Sequence, residues 1–157
     1  MIYLGIDPGS HNLGYAFLEE RRGKLFVLEY GVIRAKPKDM LFERLESIHQ
    51  ELKARLIDYN PDVLGLENIF FAKNPKSALI LGQARGSILA LFFNRQTKLF
   101  EFSPKEIKQA IALKGNASKH QVALMVQQRL NLQEIPKSLD ASDALAIAYT
   151  AYLRNHS

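Results

Sequence analysis

The chain has 157 residues, 47% hydrophobic and 24% charged, with no cysteine and a formal charge of +5. That balance excludes a disordered chain, a disulfide framework and a thiolate metal site, and it leaves stability to a hydrophobic core. One domain over residues 1–157 is expected, burying about 68–70% of its unfolded surface. The first apolar run is broken by Asp7, unlike a secretory leader. The most apolar stretch, 78–93, carries Gln83 and Arg85 at its centre, unlike a membrane span. No membrane partner and a cytoplasmic location are the matching expectations.

Ile2–Asp7, Gly14–Glu19 and Lys24–Ile33 read as three strands, joined by the tight connection DPGSHN and the hairpin loop EERRGK. Leu41, Leu45, Ile48, Leu52 and Leu56 then recur at helical spacing until Asn60-Pro61 ends the run. DVLGLE is a short buried strand that closes on a carboxylate, Glu67, as the first strand closes on Asp7. A helix is expected from Pro75 to Phe93, then a strand, TKLFEF. Ser103-Pro104-Lys105-Glu106 is a capping box with proline at the first helical position. Ser118-Lys119-His120-Gln121 is a second box, opening a helix to Leu130, and LDASDALAIAYTAYL is the last helix. The order βββ, α, β, α, β, ααα predicts an α/β fold: a mixed five-stranded sheet, antiparallel meander plus two parallel strands, flanked by helices.

Charge is divided unevenly along this order. Residues 1–67 carry a net −2 and residues 68–157 a net +7. Between Asn68 and Phe100 there is no acid, while Lys73, Lys76, Arg85, Arg95 and Lys98 all fall there. Such a half suits a polyanion partner, although a generally basic surface has the same composition.

The two strand-ending acids carry the chemistry. An isolated Asp-Pro-Gly is ordinary turn chemistry, with proline fixing φ and glycine accepting φ > 0. If, however, the fourth strand lies parallel beside the first, about 4.8 Å from it, Asp7 and Glu67 face one crevice outside the sheet. Two such anions repel unless a cation compensates. Gly9 would allow close approach to the first of them. Asp140 and Asp143 stand i, i+3 on one face of a helix start. Alone they fit N-terminal helix acids favoured by the dipole. Together the four carry a formal −4, which two Mg²⁺ would balance, and oxygen-only ligands suit Mg²⁺ or Mn²⁺. Paired ions ~3.5–4 Å apart are the standard means of phosphodiester hydrolysis.

LGIDPGSHNLGYAF, GLENIFFAKNPKSALILGQARG, EFSPKEIKQAI, GNASKHQVALMV and LDASDALAIAYTA, in that order, resemble a RuvC-type Holliday junction resolvase from end to end. The resemblance implies an RNase H-like fold, a homodimer, and paired symmetric nicking of four-way DNA junctions in recombination and repair with divalent metal, two Mg²⁺ per subunit or Mn²⁺ in their place. It makes Asp7, Glu67, Asp140 and Asp143 the catalytic metal ligands. Phe70 matches an aromatic that stacks on an unpaired base near the crossover, and Lys108 and Lys119 match basic residues near the scissile phosphate. Some relatives have histidine at the third acidic position, where this chain has Asp140. The family works with the RuvA–RuvB branch-migration complex, and its products carry 5′-phosphate and 3′-hydroxyl ends.

Neighbouring residues have plainer readings. Phe71 fits core packing, Lys105 and Lys114 a solvated helix face, and His11 a polar turn. Three other functions use parts of the same pattern. A YqgF-type RNase H-like enzyme acting on structured RNA shares the opening strand and the acidic last helix, but not FAKNPKSALILGQARG. A sugar-kinase or actin-like phosphotransferase shares the strand, acid and glycine turn but needs two such domains. A non-catalytic junction-binding module would keep the basic half and lose the acids.

Overall fold

The computed structural model describes residues 1–68, 74–112 and 114–157. Among them lie β1 (Ile2–Asp7), β2 (Asn12–Arg21), β3 (Lys24–Arg34), α1 (Leu41–Asp58), β4 (Val63–Glu67), α2 (Pro75–Ala90), β5 (Lys98–Phe102), α3 (Pro104–Ala112), α4 (Lys119–Arg129) and α5 (Leu139–Asn155). The five strands form one sheet in the order β3-β2-β1-β4-β5. β1 pairs antiparallel with β2 and β2 with β3, whereas β4 runs parallel to both β1 and β5. Element order and strand directions match the sequence expectation.

The boundaries shift where pairing outlasts the pattern. β2 and β3 pair to Arg21 opposite Lys24, leaving a two-residue turn at Arg22 and Gly23. Both have positive φ, 50° and 74°, which follows the right-handed twist of a tight hairpin. The expected loop is therefore shorter than EERRGK. α2 ends at Ala90 rather than Phe93, and the chain passes through turns to Asn94, whose φ is 64°.

Strand alternation sends residues to two cores. Leu4, Ile6, Leu64 and Leu66 meet Ile48, Leu52, Leu56 of α1 and Ile88 of α2. Tyr3, Val63 and Phe102 face α3, α4 and α5 on the other side. By the same alternation Gly5, Asp7, Gly65 and Glu67 lie on the α5 face. Here α5 settles directly on backbone. A Cβ at Gly5 would overlap the carbonyl of Ala144 and the amide of Ala148, and one at Gly14 would overlap the carbonyl of Asp140. At Gly65 it would press on Ile147 and Ala151. Three glycines on three neighbouring strands thus make a track for α5, whose facing residues Ala144, Ala148 and Ala151 are fully buried. The helix is seated at a depth that no larger strand residue permits.

Both capping boxes form as read. The amide of Glu106 donates to Ser103 Oγ at 3.2 Å and the Ser103 amide donates to Glu106 Oε2 at 2.8 Å. The amide of Gln121 donates to Ser118 Oγ at 3.2 Å, and the Ser118 amide to Gln121 Oε1 at 2.8 Å. No helix among the described residues is long and apolar enough to cross a membrane.

Candidate functional site

The sheet brings the two strand-ending acids together. β1 and β4 are in register to Ile6 opposite Leu66, so Asp7 and Glu67 are the next step on adjacent parallel strands. Asp7 pairs across the other side with Gly14, the residue against which the Asp140 backbone rests. The first turn of α5 is thereby set above the ends of β1 and β4, with Asp140 and Asp143 one helical turn apart. The glycine track that seats α5 is the same feature that delivers its acids.

The electrostatics couple Asp7 to the acids of β4 and α5. Burial, then the charges of Asp143, Glu67 and Asp140, push the Asp7 carboxyl from an ordinary 3.8 up to about 7, against a smaller opposing pull from Lys119. Burial and Asp143 likewise raise Glu67, with Lys119 and Lys108 working the other way. Lys119 Nζ donates to Asp143 Oδ2 at 2.9 Å, and that bond holds the ammonium pKa above its usual range. Glu67, Lys108, Lys119, Asp143, Pro104 and Ile107 line a common cleft of about 540 Å³, open solvent included.

Among the described residues no three acids or histidines close tightly enough around one point to hold an ion. The donor set nevertheless fits a hard divalent cation: four carboxylates, no sulfur or imidazole, and two of them raised in pKa by burial and by neighbouring acids. The Lys119 ammonium supplies part of that charge at Asp143.

Lys105 and Lys114 lie apart from the cleft, the stem of Lys105 packing beside Gly115. His11 is exposed, and its backbone carbonyl accepts from the Ala35 amide at 2.9 Å. Phe70 and Phe71 lie outside the described residues. Gly9 differs from expectation in its role. It lacks a positive φ, and a Cβ there would overlap the Asn12 carbonyl inside the same turn. It closes the connection to β2, and close approach at the site belongs to Gly14 instead. The sequence reading also missed the Lys119–Asp143 pair and Arg85, whose Nη1 donates to the Glu67 carbonyl at 2.8 Å. A charge at the centre of an apolar helix was the available signal for the second.

A mixed sheet with acids at the ends of its central parallel strands, met by acids of a crossing C-terminal helix, defines the RNase H-like class. The family model described as crossover junction endodeoxyribonuclease RuvC matches residues 3–151. A crossover junction endodeoxyribonuclease RuvC of Pelodictyon phaeoclathratiforme is 44% identical over 157 residues, covering 100% of this chain and 82% of the relative. The Thermus thermophilus RuvC structure superposes with a TM-score of 0.86 at 34% identity, covering 99% of this chain and 97% of that one. T. thermophilus RuvC in complex with Holliday junction substrate gives 0.89 at 33% identity, covering 99% and 96%. The chain belongs to the RuvC family of crossover junction endodeoxyribonucleases.

Proposed function

We propose that residues 1–157 act as one nuclease domain that resolves four-way DNA junctions by paired nicks, with Asp7, Glu67, Asp140 and Asp143 holding two Mg²⁺ ions, replaceable by Mn²⁺. The observation that carries this reading is that Asp7 and Glu67 end adjacent parallel strands, with burial and the acids of β4 and α5 raising Asp7, and burial and Asp143 raising Glu67. A pocket so unfavourable when alone suits a function that brings cations into it. Junction DNA as substrate is supported by the T. thermophilus RuvC complex.

Paired ions supply an activated water and stabilise the leaving oxygen when bound. The protein's own part is positioning. Lys108 and Lys119 border the cleft beside Glu67 and Asp143, where they would take phosphate oxygens of the strand to be cut. Lys119 would exchange its bond to Asp143 for that phosphate as DNA enters. Phe70 is proposed to stack on a base at the crossover.

Cutting both strands needs two sites related by a two-fold axis, hence a homodimer. The outer face of α2 is our choice of interface. Leu79, Gly82, Gly86 and Ala90 are exposed along one side, and Phe93 is exposed just beyond. A Cβ at Gly82 or Gly86 would meet no atom within 4 Å, so neither glycine is required by the subunit's own packing. The family also supports RuvA–RuvB as the complex that delivers the junction.

The test is nicking of a synthetic mobile junction with Mg²⁺ or with chelator. Symmetric nicks bearing 5′-phosphates only with metal are expected, and intact strands after prolonged incubation with Mg²⁺ would reject the reading. A strict monomer by sedimentation at micromolar concentration would reject the dimer.

A further inference from the structure

We infer that Arg85 is a positioning residue for nicking, fixing the end of β4 so that the Glu67 carboxylate keeps its aim; the inference rests on Glu67 serving as proposed above. Arg85 lies on α2, on the sheet face opposite to Glu67's carboxylate, and its side chain is only 14% exposed. One arm of the guanidinium donates to the Glu67 carbonyl at 2.8 Å. Another pairs with Glu101 of β5, which stands opposite Leu66 in the sheet.

This contact falls where the sheet itself gives least support. Pairing of β1 with β4 stops at Ile6 and Leu66, one residue before both acids. On the β5 side the Asn68 amide donates to the Phe102 carbonyl at 2.7 Å. The Glu67 peptide is therefore held by Phe102's strand on one flank and by Arg85 from α2 beneath. A planar guanidinium can serve a carbonyl and a carboxylate at once with diverging N–H groups, which a lysine ammonium on its flexible stem does less rigidly. Groups that orient a metal-binding carboxylate typically contribute 10–100-fold to affinity or activity. The helix that carries Arg85 also presents the face proposed for dimerisation, so assembly of the dimer would brace the same strand end.

The experiment compares wild type, Arg85→Lys, Arg85→Gln and Glu101→Gln in single-turnover nicking of a synthetic junction at saturating protein. Mg²⁺ dependence of the rate, junction affinity in chelator and thermal midpoint are read alongside. Arg85→Lys and Arg85→Gln should slow nicking 10–100-fold and raise the Mg²⁺ needed for half-maximal rate at least threefold. Junction affinity should stay within threefold of wild type. Glu101→Gln, which keeps an acceptor for Arg85, should show the same pattern at less than tenfold. Rates within twofold of wild type with an unchanged Mg²⁺ requirement would overturn the assignment. So would losses matched by equal losses of junction affinity. If neither Arg85 variant folds, Glu101→Gln decides: a raised Mg²⁺ requirement supports the assignment and wild-type behaviour overturns it. Glu67→Gln is run in parallel, since its continued cleavage would refute the role of Glu67 itself rather than that of Arg85.

Discussion

Replacing Asp7 by asparagine should stabilise the metal-free protein above neutral pH while abolishing nicking. The Asp7 carboxyl titrates near 7 in the folded protein against an ordinary 3.8. A raised carboxyl pKa means that the folded state holds more protons than the unfolded state between those values. Stability therefore falls as pH rises from about 4 to about 7, and the loss is complete above that. A gap of about 3 units at 1.36 kcal/mol each gives about 4 kcal/mol. That figure is a ceiling, because side-chain rearrangement relieves part of the repulsion. Asparagine cannot ionise and escapes the penalty. At about 2–4 °C per kcal/mol for a protein of this size, a gain of several degrees in Tm at pH 8 follows. At pH 5 only about the first 1.2 units of that interval have been crossed, so the gap between the two proteins should shrink to about 1.6 kcal/mol or less. The assay is thermal unfolding of both proteins in chelator at pH 5 and pH 8. An Asp7→Asn protein no more stable than wild type at pH 8 would refute the claim that these acids crowd one pocket.

Glu67→Gln should abolish nicking yet bind junction DNA in chelator as tightly as wild type or more so, because it removes negative charge near phosphates; weakened binding in a gel-shift titration would contradict this. Lys119→Ala should lower junction affinity and reduce the salt slope of log K by about 1, as expected for one lost phosphate contact; binding measured across salt concentrations checks it. Gly5→Ala drives a methyl into the Ala144 carbonyl. Overpacking of this kind costs about 1–3 kcal/mol, and Tm should fall by roughly 2–12 °C. Nicking should slow with it as the acids of α5 lift from the crevice, whereas an unchanged Tm would contradict the seating of α5.

The parts legible in the sequence are those with strong local signals. Proline and serine at 103–104 announced a helix start, and Leu52 and Leu56 kept helical period on a face that is indeed buried. A strand ending VLGLE showed an acid where burial alone would not place one. The crevice itself depended on Asp7 and Glu67 sharing a parallel edge, an arrangement that βαβ handedness makes foreseeable. What escaped notice was non-local. Gly5, Gly14 and Gly65 look like unrelated small residues until one helix is laid across all three strands. Lys119 was expected at phosphate, yet its bond to Asp143 joins residues 24 positions apart. Arg85 appeared only as a break in an apolar helix, because its carbonyl partner on β4 cannot be read from neighbouring letters. The reach of β2 and β3 to a two-residue turn was hidden by the charged letters Glu20 and Arg21, which pair as well as any others at an exposed hairpin end.

The central claim is that four carboxylates from β1, β4 and α5 surround bound metal. Crystals grown with junction DNA and Mn²⁺, measured at the manganese edge, test it most directly. Two anomalous peaks enclosed by Asp7, Glu67, Asp140 and Asp143 are the predicted result. Manganese bound elsewhere, with those side chains left without it, would contradict the account.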